Sequence, residues 1–469
     1  MLIPLSRRDF FEKTVLTTAA GWSLSISQAL DAAENNAGGL HIAPFKFDVT
    51  PPLGHSCCGG WIKPIEVVDD SLEAIGIVLL GAGSPIVLCA VDWTGLLNEA
   101  HVEWRTALAQ AAGTTADRVA VHCVHQHNAP FACLEAERIV AGEGDLPHIV
   151  ELDFFKRCLD AGRAAIEMAI KHARPVTHIG WGQGKIEGLA SNRRVHRDET
   201  GKVIAMRGSS CADPKLIALP DGLIDPFLKT VAFFDGDKKL ASLHYYAIHP
   251  MSYYADGRCT SDFAGLARKQ RQQDEPDCLH VYFTGCAGNV SAGKYNDGSK
   301  PVRPILTKRL YDGIVASEIN LERTAVKPEM LSWRTAEILP PPRSSLHAEM
   351  IAQQIATKAN AVVARNRPAY MLAWLRRIEK RIPIVLSSLH VGRVKLLHLP
   401  AESFIEYQLR AQSLAKDDFV CTSAYGDGGP WYIPVKEEYP NGGYEVSVAF
   451  CEPVIDDVLT EGIKRVLER

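Results

Sequence analysis

Segments with the pattern of β-strands and segments with the pattern of α-helices alternate along nearly the whole of this 469-residue chain, without an internal repeat or a linker. Short apolar runs next to Gly-containing turns predict strands, and apolar residues three or four positions apart predict helices. A chain that mixes both throughout buries its apolar surface most simply in one mixed domain. The expected fold class is therefore α/β (mixed α+β), with one large domain over residues 40–469 whose β-sheets are flanked by helices.

The individual elements follow from the same two patterns and from the turn residues between them. Three pairs of strands are expected as hairpins, because a short Gly-containing turn joins their apolar runs. The predicted strands cover residues 74–80, 86–91, 119–124, 175–184, 227–234, 239–246, 279–283, 384–389 and 394–399, and the predicted helices cover residues 99–112, 154–172, 305–318, 345–365 and 454–468.

The first 33 residues have the pattern of an export signal. Arg7 and Arg8 form a pair directly before a moderately apolar stretch, and Ser27 and Ala29 supply the small residues of a cleavage site. This order predicts a twin-arginine signal peptide over residues 1–33 and a mature protein that is periplasmic or secreted. The alternative is an amphipathic N-terminal helix that starts with two surface arginines.

Charge and cysteine usage argue against two kinds of site. The formal net charge is -4 and no long basic run occurs, so nucleic acid is not an expected partner. The twelve cysteines include no C-x-x-C pair, which leaves a cysteine-type structural zinc site without support. Because a twin-arginine substrate folds in the reducing cytoplasm, we expect these thiols to be buried as small apolar side chains.

Three histidines stand at the end of the apolar run over residues 119–124. Alternate side chains of a strand share a face, so His125 and His127 are expected on one face and His122 on the other. Two imidazoles at a strand end are well placed for a divalent metal, and zinc is the usual partner of imidazole with oxygen ligands. The alternative is a hydrogen-bonded pair of histidines near a sheet edge.

Later segments supply further candidate residues. His249 follows a predicted strand and precedes Pro250, and Glu402 follows a predicted strand and Pro400. Residues 284–293 are rich in glycine around Ser291, although no G-x-S-x-G elbow is present. Residues 425–444 are rich in Gly, Pro and Tyr, which is typical of a loop that carries functional residues.

Together these segments resemble the catalytic domain of the neutral (alkaline, non-lysosomal) ceramidases. The matching blocks occur in the family's order over roughly residues 44 to 450. The segment Val124-His125-Gln126-His127-Asn128-Ala129-Pro130 is similar to the family's His-Thr-His-Ser-Gly-Pro motif. The other blocks are Asp48-Val49-Thr50-Pro51, Asn192-Arg193, Ala247-Ile248-His249-Pro250, Gly288-Asn289-Val290-Ser291, Pro400-Ala401-Glu402, Tyr432-Ile433 and Tyr444-Glu445.

The resemblance implies a zinc-dependent hydrolase that cleaves an N-acyl (amide) bond of a small or lipid-like substrate by zinc-activated water. Contact with a membrane surface is left open. As zinc ligands the resemblance implies His125, His249, Glu402 and Tyr432. It also implies that His127, Arg193 and Tyr444 line the reaction centre and that Ser291 matches the family's essential serine, as a nucleophile or as a positioning group.

The chain departs from the family's pattern beside the implied reaction centre. Asn289 stands where the family has an acidic neighbour of the serine, and Arg194-Val195 replaces a Ser-Pro pair. These changes spare the implied ligands but alter their surroundings, so the resemblance does not fix ceramide as the substrate. Two alternatives follow: zinc chemistry on an ester, lactone or carbohydrate-derived substrate, or an exported metal-containing binding protein without turnover.

Overall fold

The computed structural model describes residues 39–468, so the predicted signal peptide lies outside the described residues. Within this range, no helix combines the length and the apolar character needed to cross a lipid bilayer. The same range contains eleven α-helices: α1 Glu99–Ala112, α2 Leu134–Glu143, α3 Leu152–Lys171, α4 Pro214–Ala218, α5 Asp262–Asp274, α6 Val302–Glu318, α7 Ala348–Ala356, α8 Val362–Glu379, α9 Ile405–Leu414, α10 Tyr444–Ser447 and α11 Ile455–Leu467.

The strands are short, and many pair only locally. Those in the described range are β1 His41–Asp48, β2 Val67–Val68, β3 Glu73–Leu80, β4 Ile86–Val91, β5 Gly95–Leu96, β6 Val119–Cys123, β7 Phe131–Ala132, β8 Arg174–Pro175, β9 His178–Lys185, β10 Ser191–Asn192, β11 His196–Arg197, β12 Val203–Ala205, β13 Phe227–Asp235, β14 Lys238–Tyr246, β15 Arg258–Cys259, β16 Leu279–Thr284, β17 Val290–Ser291, β18 Glu322–Ala325, β19 Leu331–Ile338, β20 Ile384–Val391, β21 Val394–His398, β22 Glu402–Ser403, β23 Phe419–Ser423 and β24 Tyr432–Ile433.

Three larger sheets share one topology, although the sequence shows no repeat. Their strand orders are β6-β4-β3-β1-β8, β16-β14-β13-β9-β18 and β19-β20-β21-β23. In each sheet an antiparallel hairpin is followed by a helix and by a strand that pairs in parallel with the second hairpin strand. These units are β3-β4-α1-β6, β13-β14-α5-β16 and β20-β21-α9-β23. The predicted mixed α/β class is confirmed.

The three sheets pack together around a shared apolar core. Ile75 and Ile77 of β3 lie in this core with Leu243 of β14 and Leu396 of β21. The alternate residues of β3, such as Val78, pack in a second cluster that includes side chains of the flanking helices. Burial on both faces explains why β3 is apolar from Ala74 to Leu80 and does not alternate with polar residues.

One element prediction is wrong. Residues 345–365 contain one complete helix, α7 Ala348–Ala356, and the start of a second, because α8 begins at Val362. Arg365 of α8 contacts α7, because its Nε donates to the carbonyl oxygen of Ile355. Its guanidinium also pairs with Asp145 at 2.9 Å. The break therefore lets the two helices pack against each other.

All twelve cysteines lie in the described range as buried free thiols. Burial raises the pKa of Cys57 to about 12 and that of Cys158 to about 12, so both remain protonated at neutral pH. They act as small apolar side chains, so the expectation that the thiols are buried is confirmed.

Candidate functional site

Residues that follow the carboxyl ends of the parallel-paired strands meet at one place in the molecule. His125 follows β6, His249 follows β14, and Glu402 follows β21. Ligand sites of sheets with parallel strands commonly lie outside the carboxyl ends of those strands, where loops from several strands converge. The repeated topology therefore brings residues from all three sheets to one edge.

The His–Glu cluster consists of His125, His127, His249 and Glu402. One nitrogen from each of the three imidazoles lies within 4.8 Å of the other two. Glu402 Oε2 lies 3.2 Å from His125 Nε2 and 3.8 Å from His249 Nδ1. The structure thus brings together four of the residues that the sequence singled out, from three separate sheets.

Donor atoms of this cluster fit a metal ion. His125 Nε2, His127 Nδ1 and Glu402 Oε2 are buried and have no hydrogen-bond partner within residues 39–468. A buried polar atom left unpaired costs about 1–3 kcal/mol, so three of them in one cluster need a partner. Zinc ligands about 2.0–2.1 Å from a tetrahedral ion stand about 3.3 Å apart, which matches the His125–Glu402 distance of 3.2 Å.

His125 and His127 come together for a different reason than predicted. β6 ends at Cys123, so both histidines lie in a loop, and the prediction that strand alternation places them on one face is wrong. His125 has a φ of 78°, which turns the chain so that the two rings lie 5.0 Å apart. Its Nδ1 contacts the carbonyl oxygen of Thr94 at 2.6 Å and donates the proton there, which leaves Nε2 free for a ligand.

Burial keeps two histidines of the cluster neutral. It lowers the pKa of His127 well below the usual value, and the neighbouring His125 and Arg193 lower it further. Burial also lowers the pKa of His249 well below the usual value, again with Arg193 and His125 contributing. Neutral imidazole is the form that binds metal ions and accepts protons.

Arg193 and Tyr432 form a buried polar pair beside the cluster. Arg193 Nη1 donates to the Tyr432 hydroxyl at 3.3 Å and to the Gly288 carbonyl oxygen at 3.3 Å, while Nη2 donates to Ser209 Oγ at 3.0 Å. Burial alone lowers the pKa of Arg193, but Tyr432 and Glu445 outweigh this effect and raise it. The guanidinium therefore stays charged. β24 pairs with β22 in a register that aligns Tyr432 with Glu402.

A cavity of about 280 Å³ opens onto the His–Glu cluster. Aromatic side chains form much of its wall, among them Trp61, Phe131 and Trp431. Tyr254 and Tyr444 also line it, and each is 44% exposed, so they stand where the cavity meets solvent. An aromatic cavity with a polar cluster at one wall is the usual form of a small-molecule site.

Ser291 lies beneath the site and outside the lining of this cavity. Its hydroxyl is buried, donates to the carbonyl oxygen of Gly208 at 2.9 Å and accepts the N–H of Gly293 at 3.3 Å. Its backbone forms a bridge with His249, whose N–H donates to the Val290 carbonyl oxygen. The geometry thus ties Ser291 to the position of His249, and its catalytic role stays a prediction.

Sequence reasoning did not single out Thr94 and Tyr425. Thr94 contributes its backbone carbonyl oxygen, so its side chain gave no signal. Tyr425 stacks on His125 with ring centroids 4.3 Å apart, and its hydroxyl lies 3.4 Å from His249 Nδ1. It begins the Gly-, Pro- and Tyr-rich segment 425–444, so the composition of that segment was the available signal.

A buried aspartate anchors strained backbone around the site. Ala401, Tyr425 and Trp431 have φ values of 52°, 59° and 65°, a region that costs side-chain-bearing residues about 1–3 kcal/mol each. The Asp427 carbonyl oxygen accepts the N–H of Ala401, and its carboxylate pairs with the buried guanidinium of Arg377. Asp427 therefore fixes the backbone at Ala401, the residue directly before Glu402.

Replacing Asp427→Asn is expected to lower the free energy of unfolding by about 3 kcal/mol at pH 7, because Arg377 would stay buried without its countercharge. Burial raises the pKa of Asp427, but Arg377 and His101 lower it by more, so the net shift is downward. With a depressed folded-state pKa, the stabilisation is present above about pH 4 and is lost as the pH falls further.

Urea unfolding followed by circular dichroism from pH 7 to pH 3 measures this dependence. The difference between wild type and Asp427→Asn should shrink below about pH 4. Asp417→Asn, at an exposed position of the preceding turn, is the control and should change stability by less than about 0.5 kcal/mol. A difference that is equally large at pH 3 would contradict the ion-pair account.

The repeated three-sheet topology, with a polar cluster at the carboxyl ends of the parallel-paired strands, defines the class of fold. No family model matches the sequence, and no curated protein matches it significantly. Among solved structures, the chain is similar to the neutral ceramidase from Pseudomonas aeruginosa, with a TM-score of 0.67 and 16% identity over 92% of this chain and 75% of that one. It is also similar to a ceramidase complexed with C2, with a TM-score of 0.65 and 15% identity over the same shares. The chain therefore has a neutral ceramidase-like fold, which confirms the resemblance at the level of the fold.

Proposed function

We propose that this protein is a zinc-dependent hydrolase that cleaves N-acyl (amide) bonds. The observation that carries the proposal is a pair of buried donor atoms, His125 Nε2 and Glu402 Oε2, which lie 3.2 Å apart beside an aromatic cavity and have no hydrogen-bond partner among the described residues. The fold supports it, because the similar solved structures are named as ceramidases. In this proposal His125, His249, Glu402 and Tyr432 hold the metal.

A bound zinc ion would lower the pKa of water toward about 7 and polarise the carbonyl of the scissile bond. The side chains around it supply the proton transfer and charge stabilisation. His127 is neutral, and its unpartnered Nδ1 is available to accept a proton and to return it to the leaving amine. Arg193 brings a fixed positive charge to stabilise the developing oxyanion, and Tyr444 limits solvent access at the cavity entrance.

Metal analysis combined with a substrate panel tests the proposal. The purified protein is expected to hold about one zinc per chain. It should hydrolyse N-acyl amides faster than acyl esters or lactones, lose this activity to a chelator and regain it with added zinc. A folded protein that binds no zinc would overturn the proposal. Bound zinc without turnover of any acyl substrate would favour a metal-containing binding protein instead.

A further inference from the structure

Arg367 of α8 is a cation without a countercharge in the wall of the aromatic cavity. Its side chain is half-buried, and its Nε is buried without a hydrogen-bond partner within residues 39–468. Within the same range, no carboxylate lies within 4.0 Å of its guanidinium. Two other arginines of this helix are paired, Arg365 with Asp145 and Arg377 with Asp427. Arg376, the fourth arginine of this helix, is exposed to solvent, so among the buried and half-buried arginines of α8 only Arg367 lacks a carboxylate partner within the described residues.

An aromatic platform holds this guanidinium in place. Arg367 Cζ lies 5.0 Å from the centroid of the Trp61 ring, a distance at which the ring face attracts a cation. Phe131, Tyr370 and Trp431 each pack on Trp61 with ring centroids 5.7 Å away, which fixes the orientation of the indole. A guanidinium that rests on a fixed ring keeps its N–H donors preorganised for a planar anion.

The charges around the cavity favour an anion. Glu402 is the one carboxylate among the lining residues that the structure describes, and its Oε2 lies between His125 and His249. It is thus committed to the His–Glu cluster and not to Arg367. With a divalent ion at the cluster, the cavity carries excess positive charge, which concentrates anionic ligands. The cavity volume of about 280 Å³ suits a compact reacting portion of the substrate.

We propose that the substrate carries a carboxylate that binds Arg367, so that the protein acts on anionic N-acyl amides such as N-acyl amino acids or amides of dicarboxylic acids. This inference rests on the proposed hydrolase function of the same cavity. Arginine and carboxylate pair through two parallel N–H···O bonds, which orient the substrate as well as bind it. Arg367 then selects the substrate, while the His–Glu cluster performs the chemistry.

Three amide substrates distinguish the effect of the substrate's charge on turnover from the effect of its shape. N-benzoylglycine carries the carboxylate on its amine portion, N-benzylsuccinamic acid carries it on its acyl portion, and N-(2-hydroxyethyl)benzamide is neutral. The zinc-loaded wild type should prefer at least one of the two anionic amides. Arg367→Gln should lower kcat/KM for that amide by about 30-fold or more, mainly through KM, and change the neutral amide by less than about 3-fold. Arg367→Lys should restore part of the loss.

Isothermal titration calorimetry measures ligand binding independently of turnover. The ketone 3-benzoylpropionate has the shape of N-benzoylglycine but no scissile amide, and the alcohol 4-hydroxy-1-phenylbutan-1-one is its neutral counterpart. The wild type should bind the carboxylate more tightly than the alcohol, and Arg367→Gln should remove that preference. Arg376→Gln, at an exposed position of the same helix, is the control and should leave binding unchanged.

The outcomes distinguish the inference from the function on which it rests. Equal turnover of charged and neutral amides, unchanged in Arg367→Gln, would overturn the inference and leave the hydrolase function standing. Absence of turnover with Arg367-dependent binding of 3-benzoylpropionate would retain the anion site and reject the hydrolase function. Carboxylate binding that persists in Arg367→Gln would place the anion on the metal and overturn the inference.

Discussion

Replacing Glu402→Ala is expected to abolish both metal retention and turnover of N-acyl amides. Glu402 Oε2 lies between His125 Nε2 and His249 Nδ1 and is the charged member of the donor set. Without it only neutral donors would face the ion, and a divalent cation would lose its carboxylate ligand. We expect less than about 0.1 zinc per chain by plasma emission spectrometry and a loss of kcat/KM of at least about 10³-fold.

The fold should survive this substitution, which keeps the test informative. Glu402 Oε2 makes no hydrogen bond within the described range, so its removal breaks no hydrogen bond of that atom. Circular dichroism of the metal-free forms should therefore be the same for variant and wild type. Glu437→Gln, at an exposed position in the segment 425–444, is the control and should keep zinc and activity. A Glu402→Ala protein that retains one zinc per chain would contradict the proposed ligand set.

The second large effect is expected for Arg193→Met, which should lower kcat by about 10³-fold while zinc stays bound. Arg193 is buried and charged, and its Nη1 donates to the Tyr432 hydroxyl beside the cluster. Its positive charge is present before the reaction starts, so stabilising a developing oxyanion requires no reorganisation at that moment. Loss of this charge removes an interaction that strengthens in the transition state, which lowers kcat more than it raises KM.

Two comparisons distinguish a role of Arg193 in stabilising the transition state from a purely structural role. Arg193→Lys keeps the charge but not the fork of donors, so it should recover part of kcat. Arg197→Met, which removes a half-exposed guanidinium that pairs with Glu438, is the control and should change kcat by less than about 3-fold. If Arg193→Met loses zinc in proportion to activity, the residue positions the ligands and does not act on the reacting atoms.

Much of the local structure could be predicted because its causes are local. The predicted helix over residues 99–112 coincides with Glu99–Ala112, and the predicted hairpin over residues 384–399 is present as β20 and β21. Helices and hairpins depend on apolar periodicity and turn residues within a few positions of each other, and such short-range patterns can be read from the sequence. The prediction failed at residues 345–365, where Arg365 pairs with Asp145, a residue 220 positions away in the sequence.

The candidate site was predictable in its residue types and less so in its geometry. Ordered motifs indicated His125, His249 and Glu402, and the structure brings all three together. The orientation of His125 was not predictable, because a non-glycine residue with a φ of 78° has no marker in the sequence. The position of Ser291 outside the cavity lining likewise depends on how β17 packs beside His249.

Local sequence patterns were sufficient to predict the mixed α/β class, most element positions and the donor residues available to a metal. Tertiary packing was needed to show that three sheets repeat one topology and that their strand ends meet at one edge. Packing also pairs Arg365 with Asp145, whereas Arg367 has no carboxylate partner in the part of the chain that the structure describes. The physical reason is the same in each case: ligation, ion pairing and burial depend on distances through space, and these distances arise only when separate parts of the chain pack together.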